Sequence, residues 1–249
     1  MIKGGTLWDG ETLHNLYKRA YTPWEWTPIL MKKANELNME LFSTPFDITA
    51  VEYLESCNCP AYKIASCEIN DHILLKKIAE TNKPVIISSG GASLEDLESA
   101  LHVLRSNGTK DIAMLKCTAA YPADPADANL RTMVNMKETY NVIPGLSDHT
   151  LGPTVPIASV ALGGKVIEKH FTFNKKLSGP DHKSSIDSQE LEMLIKGSNA
   201  NFLARGSKKI IFKEEKEIIN WARESVVSIK KIPSNNALSL NNISTKRPS

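Results

Sequence analysis

Residues 142–173 read VIPGLSDHTLGPTVPIASVALGGKVIEKHFTF, and this stretch decides the fold. An apolar run, Val142–His149, ends in Ser147-Asp148-His149. A helical pattern follows at Thr154–Leu162, and a second apolar run, Val166–Phe173, carries Glu168 and His170. Strand, helix and strand over about thirty residues make a βαβ unit, with parallel strands and a right-handed crossover. Side chains two apart on a strand share a face. Ser147 and His149 therefore project together, as do Glu168 and His170, at the carboxyl ends of neighbouring strands.

Outward from this unit the same grammar repeats. Apolar runs at Glu40–Pro45, Ala61–Ser66, Pro84–Ser89 and Asp111–Thr118 bring the total to six. Helical patterns lie between them at Ile48–Leu54, Ile73–Ala79, Leu97–Leu104 and Leu130–Tyr140, the third opened by Ser93 as N-cap with Glu95 and Asp96 in its first turn. Polar groups again close the strands, with Lys63, Ser66 and Glu68 after one and Ser88 after the next. Chemistry gathered at the carboxyl ends of parallel strands is the layout of an α/β-barrel active site. A closed (β/α)8 barrel needs two more units than these six runs supply. The expected architecture is thus a TIM-type barrel lacking its first two strands. An open doubly wound sheet is the alternative, but its G-x-G-x-x-G signature is absent.

The stretch through Trp8, Trp24 and Trp26 reads as loop, followed by a helix at Ile29–Leu37. Near the other end, Glu190–Leu203 reads as helix, residues 206–222 as linker, and Ser225–Ile229 as a strand before a turn at Pro233–Asn236. The expected domains are a barrel portion, residues 1–205, and the start of a second domain, residues 223–249.

A chain of 249 residues can bury a sizeable core. Its net charge of +2 calls for neither a nucleic acid nor an anionic membrane as partner. No long apolar run and no secretory leader is evident. The four cysteines, Cys57, Cys59, Cys67 and Cys117, lack disulfide or zinc spacing. They read as free thiols, and a cytoplasmic location is expected.

His149 and His170 occupy matched positions on strands about 4.8 Å apart, placed to converge on one divalent cation with Glu168 and Asp148 beside them. The alternative is a pair of hydrogen-bonded structural histidines. Lys63 either meets an anion such as phosphate or carboxylate or snorkels to the rim; hydroxyls from Ser66, Ser88 and Ser147 at neighbouring strand ends favour phosphate. Glu68 is a candidate general acid/base or a solvated loop glutamate. Asp181, in Gly179-Pro180-Asp181-His182, is a site or a turn residue. His14, His72 and His102 read as surface residues.

Read together, six stretches resemble the N-acetylneuraminate (sialic acid) synthase family, in family order along nearly the whole chain. They are Ser43–Phe46, Tyr62–Glu68, Cys117–Pro122, Gly145–Thr150, Val166–Phe171 and Gly179–His182. Gly5–Gly10, Tyr21–Trp26, Lys63–Glu68 and Lys116–Pro122 are similar to the pseudaminic acid synthase branch. Ala119 stands where many N-acetylneuraminate synthases have asparagine, whereas Gly179–Lys183 is closer to the neuraminate or legionaminate branches.

The resemblance implies a TIM barrel followed by an antifreeze-like (SAF) domain. It implies a transferase that condenses phosphoenolpyruvate with an N-acetylated amino sugar, a diacetamido-trideoxy-L-altrose, to give pseudaminic acid and release phosphate. N-acetylneuraminate or legionaminate is the alternative product. His149 and His170 would hold a divalent metal, Mn²⁺, with Mg²⁺ or Co²⁺ as alternatives. Lys63, Ser66, Ser88 and Ser147 would hold phosphoenolpyruvate, with further substrate contacts from Thr44, Tyr121 and Asp181. Catalytic roles fall to Glu68, Lys63, Glu168 and Asp181. Arg247 matches a family arginine that reaches into the partner subunit's active site, implying a domain-swapped homodimer. The family's first two strands, with a glutamate and a Lys-x-Gln motif, have no counterpart, and Ser249 stands at the family's glycine after that arginine. The chain reads as truncated at both ends. Two rivals are another metal-dependent C–C bond enzyme on the same barrel, such as an aldolase, and an inactive or split-gene fragment whose open sheet edge would pair or aggregate.

Overall fold

Strands rich in Val, Ile and Leu that are buried on both faces form parallel sheets covered by helices, and the computed structural model has this arrangement. The structure describes residues 9–248, so Gly5–Trp8 of one motif and Ser249 lie outside the described residues. The chain divides into two units, Met1–Arg205 and Gly206–Ser249. In the first, helices α1 (Leu13–Ala20), α2 (Thr27–Glu36) and α3 (Ile48–Ser56) precede strand β1 (Tyr62–Ile64). Then come α4 (His72–Ala79), β2 (Val85–Ser88), α5 (Leu94–Ser106), β3 (Ile112–Cys117) and α6 (Thr132–Tyr140). The unit ends with β4 (Ile143–Asp148), α7 (Thr154–Ala161), β5 (Val166–Lys169) and α8 (Ser188–Ala204).

The five strands lie in the order β1-β2-β3-β4-β5, each parallel to the next. A doubly wound sheet reverses its direction of winding at a switch point; this one never does, which is the barrel's order. Its core joins Tyr62, Ile64, Val85, Ile87, Ile112 and Met114 of the strands to Val51, Leu75, Ile78, Leu101 and Leu104 of the helices. The helices start where side chains cap them: Asp47, Asp71 and Asp187 accept from backbone N–H groups, and Ser93 forms a capping box with Asp96.

Four expectations change. Glu40–Pro45 is not a strand: Ser43 alone pairs, in a single parallel bridge to Tyr62, with Lys63 N–H donating to Ser43 O at 3.1 Å. Paired on one side only, that segment has no ladder to propagate. Val166–Phe173 stops at Lys169, and Phe171 bridges Ile186 instead. Residues 206–222, read as linker, contain helix α9 (Lys213–Ala222), whose Glu215 accepts from Phe212 N–H at 2.7 Å. The unexpected α1, in a stretch read as loop, is capped by Thr12, whose hydroxyl oxygen accepts from Asn15 N–H at 3.2 Å.

In the second unit, β6 (Ser225–Ser228) pairs antiparallel with β7 (Ile243–Lys246). The turn at Pro233–Asn236 forms, with Asn235 left-handed and Asn236 N–H donating to Pro233 O. Among the described residues, no helix is long and apolar enough to cross a membrane.

Gly145 lets β4 and β5 approach. A Cβ there would sit 2.3 Å from Leu115 Cδ2 and 2.6 Å from the carbonyl oxygen of Val166. Backbone cannot step aside as a flexible side chain can. Gly145→Ala should therefore cost about 1–3 kcal/mol and lower the melting temperature by about 2–10 °C. An unchanged melting curve would show that β5 moves freely.

Candidate active site

Side chains from the two ends of the strand order meet. A flat sheet of this order would hold β1 and β5 about 19 Å apart. Yet Lys63 Nζ on β1 lies 3.4 Å from Glu168 Oε2 on β5, and it also donates to Ile64 O at 3.0 Å. The sheet therefore curls into an arc of barrel, and its mouth gathers the strand ends. Glu168 Oε1 accepts from Ser147 Oγ at 2.7 Å, so one carboxylate joins β1, β4 and β5. Lys63 is buried, only 7 % exposed, and a charged ammonium at that depth needs this anion or a substrate's.

The β4–β5 register sets Ser147 against Glu168 and Asp148 against Lys169. One step further on, the imidazoles of His149 and His170 stand with ring centroids 5.4 Å apart, at 67°. The Tyr121 ring lies against both, 4.2 Å from His149 and 5.6 Å from His170. His149 Nδ1 lies 2.9 Å from Thr118 O. A carbonyl only accepts, which assigns the proton to Nδ1 and leaves Nε2 as a lone-pair donor. Burial pushes the His170 imidazole down, against the pull of Asp181, whose carboxylate is 3.6 Å from Nδ1. The neutral form is the one that ligates a metal.

These residues fit a divalent cation. A metal–nitrogen bond of about 2.1 Å puts each ring centroid roughly 3 Å from a shared ion, which spans the observed spacing. Among the described residues no three His, Cys, Asp or Glu side chains form a cage. An ion here would rest on two imidazoles, with the open positions that a catalytic metal keeps for substrate and water. Asp148, expected beside the histidines, is not there. Its side chain points to the other side of the strand and pairs with Lys169 at 2.6 Å, as period-two alternation requires.

The three serines differ in what they can give. Ser66 Oγ accepts from Gly90 N–H at 2.9 Å, which leaves its own proton available. Ser88 is buried and its hydroxyl has no partner, a cost that a bound anion would offset. Ser147, by contrast, gives its proton to Glu168. Gly90 permits the close approach: a Cβ would lie 2.9 Å from both Ser66 Oγ and Cys117 Sγ.

Glu68 Oε2 is buried without a partner, and burial pushes the carboxyl up from its ordinary value of 4.5, opposed by Lys63. The folded state then holds the proton over a pH range in which the unfolded chain has lost it. Stability falls as pH rises from about 4.5 through the raised value. Glu68→Gln should remove that fall and melt higher than the parent at pH 7. Urea titrations of both proteins from pH 4 to 8 test this, and parallel curves would place Glu68 in solvent.

Of the other expected residues, Thr44 is half-buried beside the Ser43 bridge. Asp181 faces His170, and its backbone carbonyl accepts from the N–H groups of Ser184 and Ser185 and from both their hydroxyls. Arg247 belongs to the second unit, 3.9 Å from Glu224. His14, His72 and His102 are exposed, and all four cysteines are free. Sequence reasoning missed Lys169, Thr150 and the Thr118 carbonyl. The first two were within reach of strand alternation, whereas a backbone acceptor leaves no sequence signal.

Known proteins resemble this chain in sequence and in fold. A family model described as the NeuB family matches residues 2–210. The pseudaminic acid synthase of Helicobacter pylori is 43% identical over 245 residues, 98% of this chain and 72% of that protein. The N,N'-diacetyllegionaminic acid synthase of Campylobacter jejuni is 43% identical over 222 residues, 88% of this chain and 66% of that one. Among solved structures, the N-acetylneuraminic acid synthetase of Leptospira borgpetersenii, in complex with citrate, superposes with a TM-score of 0.77 at 31% identity, covering 85% of this chain and 75% of that one.

Proposed function

Because the chain belongs to the NeuB family, a family of nonulosonic acid synthases on a TIM barrel, we propose that it condenses phosphoenolpyruvate with an N-acetylated amino sugar. The product is pseudaminic acid, with phosphate released. One observation carries this reading. A buried lysine, two hydroxyls with uncommitted protons and two lone-pair imidazoles open on one barrel mouth, which suits one anionic and one carbonyl substrate.

Lys63, Ser66 and Ser88 bind the phosphate and carboxylate of phosphoenolpyruvate through charge-assisted hydrogen bonds. His149 and His170 hold the divalent cation, Mn²⁺, which when bound supplies Lewis acidity toward the sugar's aldehyde oxygen. C3 of phosphoenolpyruvate attacks the aldehyde carbon, water adds at C2, and phosphate leaves with C–O cleavage. Glu68, its proton affinity raised by burial, takes the proton of that water and returns it to the tetrahedral intermediate. Glu168 holds Lys63 and Ser147 in place, and Asp181 orients His170 and the sugar. Tyr121 and Thr44 line the sugar's side. The antifreeze-like identity of the second unit, the swapped homodimer with Arg247 at its partner's site, and a cytoplasmic location belong to the same proposal.

The test is phosphate release from phosphoenolpyruvate with Mn²⁺ and either a diacetamido-trideoxy-altrose or N-acetylmannosamine. Release with the first sugar alone is the expected result. Release with the second moves the protein to the neuraminate branch. Condensation without phosphate release would favour an aldolase.

A further inference from the structure

Directly behind the mouth, on the opposite side of β4 and β5, lies a closed polar network. Asp148 and Lys169 are register partners whose side chains are 2 % and 4 % exposed, joined at 2.6 Å. Asp148 Oδ1 accepts from the Thr150 hydroxyl at 3.0 Å and from its N–H at 3.3 Å. Lys169 also donates to the Thr150 carbonyl, and Thr150 itself is 1 % exposed. Each charged member immediately precedes a histidine of the site: Asp148 before His149, Lys169 before His170.

A buried ion pair contributes little net stability, because desolvation offsets the attraction. What it can contribute is register. The last β4–β5 pair of the ladder is the Asp148–Lys169 pair itself, so the histidines stand just beyond the regular sheet, where backbone pairing no longer sets their spacing. From the other side, Ala123 N–H donates to His149 O and Ile186 N–H to His170 O. These hold each histidine separately but do not hold one to the other.

We propose that Asp148 and Lys169 are a positioning pair that sets the separation of the two imidazoles and holds His149 Nδ1 against the Thr118 carbonyl, which in turn fixes its tautomer. The proposal rests on the reading of His149 and His170 as cation ligands. Neither residue of the pair touches substrate.

The test combines Asp148→Asn with Lys169→Met in the full chain, which leaves no buried charge unpaired and should preserve the melting temperature. Mn²⁺ binding is read by the electron paramagnetic resonance signal of the free ion. The His149 tautomer is read without metal from imidazole ¹⁵N shifts. The expected result is Mn²⁺ affinity about tenfold to a hundredfold weaker, together with loss of the single Nδ1–H form. Should the double variant misfold, Asp148→Asn with Lys169→Gln, which is also uncharged and keeps an amide donor for the Thr150 carbonyl, is measured in the same way. Met133→Ala, a core change outside this network, should lower stability and leave both readings at their parental values. A variant with parental affinity and tautomer overturns the proposal. If the parent binds no Mn²⁺, the cation reading fails, and the tautomer arm still decides the positioning role.

Discussion

His170→Ala is expected to cut metal-dependent phosphate release by about three orders of magnitude or more, since a Lewis-acidic cation is worth several kcal/mol of barrier. The size follows from how few ligands the site has. Two imidazoles, 5.4 Å apart, are the protein's whole contribution from histidine, and no carboxylate among the described residues completes a cage with them. Losing one leaves His149 alone, its Nδ1 already engaged by Thr118 O. The His170 side chain is 37 % exposed, so its removal opens no core cavity, and the circular dichroism spectrum should be unchanged. Mn²⁺ titration of the variant reports the cause directly. A variant that binds Mn²⁺ like its parent and still turns over would move the metal elsewhere.

Lys63→Met is expected to raise the KM for phosphoenolpyruvate by about tenfold to a hundredfold, the worth of one charge-assisted hydrogen bond of about 1.5–3 kcal/mol. Methionine keeps the stem's volume, so the difference is charge. The loss works twice. It removes the ammonium that meets the anion, and it leaves Glu168, formerly countered at 3.4 Å, with only the Ser147 hydroxyl against its charge at the mouth where a trianionic substrate must enter. Glu168→Gln in the Lys63→Met background should therefore recover part of the KM. Steady-state kinetics of the two variants decides this, and additive losses would show that the two residues act on different steps.

Much of this was legible in the sequence because the physics is local. Apolar runs with small turn residues between them give strands, and Ser93 with Asp96 starts a helix wherever it occurs. The pairing of His149 with His170 followed from spacing two along adjacent strands. What stayed hidden depends on neighbours. Whether Glu40–Pro45 becomes a strand depends on what flanks it, and only Ser43 finds a partner. Asp148 adjoins His149 in sequence, yet one residue along a strand is the opposite face, and its carboxylate pairs with Lys169. The barrel was legible but this contact was not: nothing in Lys63 or Glu168 states that Nζ on the first strand and Oε2 on the fifth come within 3.4 Å. That contact is the sum of twists over a whole sheet.

The strand order has a consequence for how the molecule comes into being. Each new strand lies beside the one made just before it, so the sheet can grow one strand at a time as the chain leaves the ribosome, with few distant contacts to await. The site does not mature in step. Lys63 is placed with the first strand, while its carboxylate partner arrives only with the fifth. Until then its charge stays hydrated, and the arriving Glu168 exchanges that water for an ion pair. Docking of the last strand is thus the event that completes the ion pair across the arc, so a nascent chain halted before residue 166 would carry the sheet's first four strands with Lys63 still uncountered by Glu168.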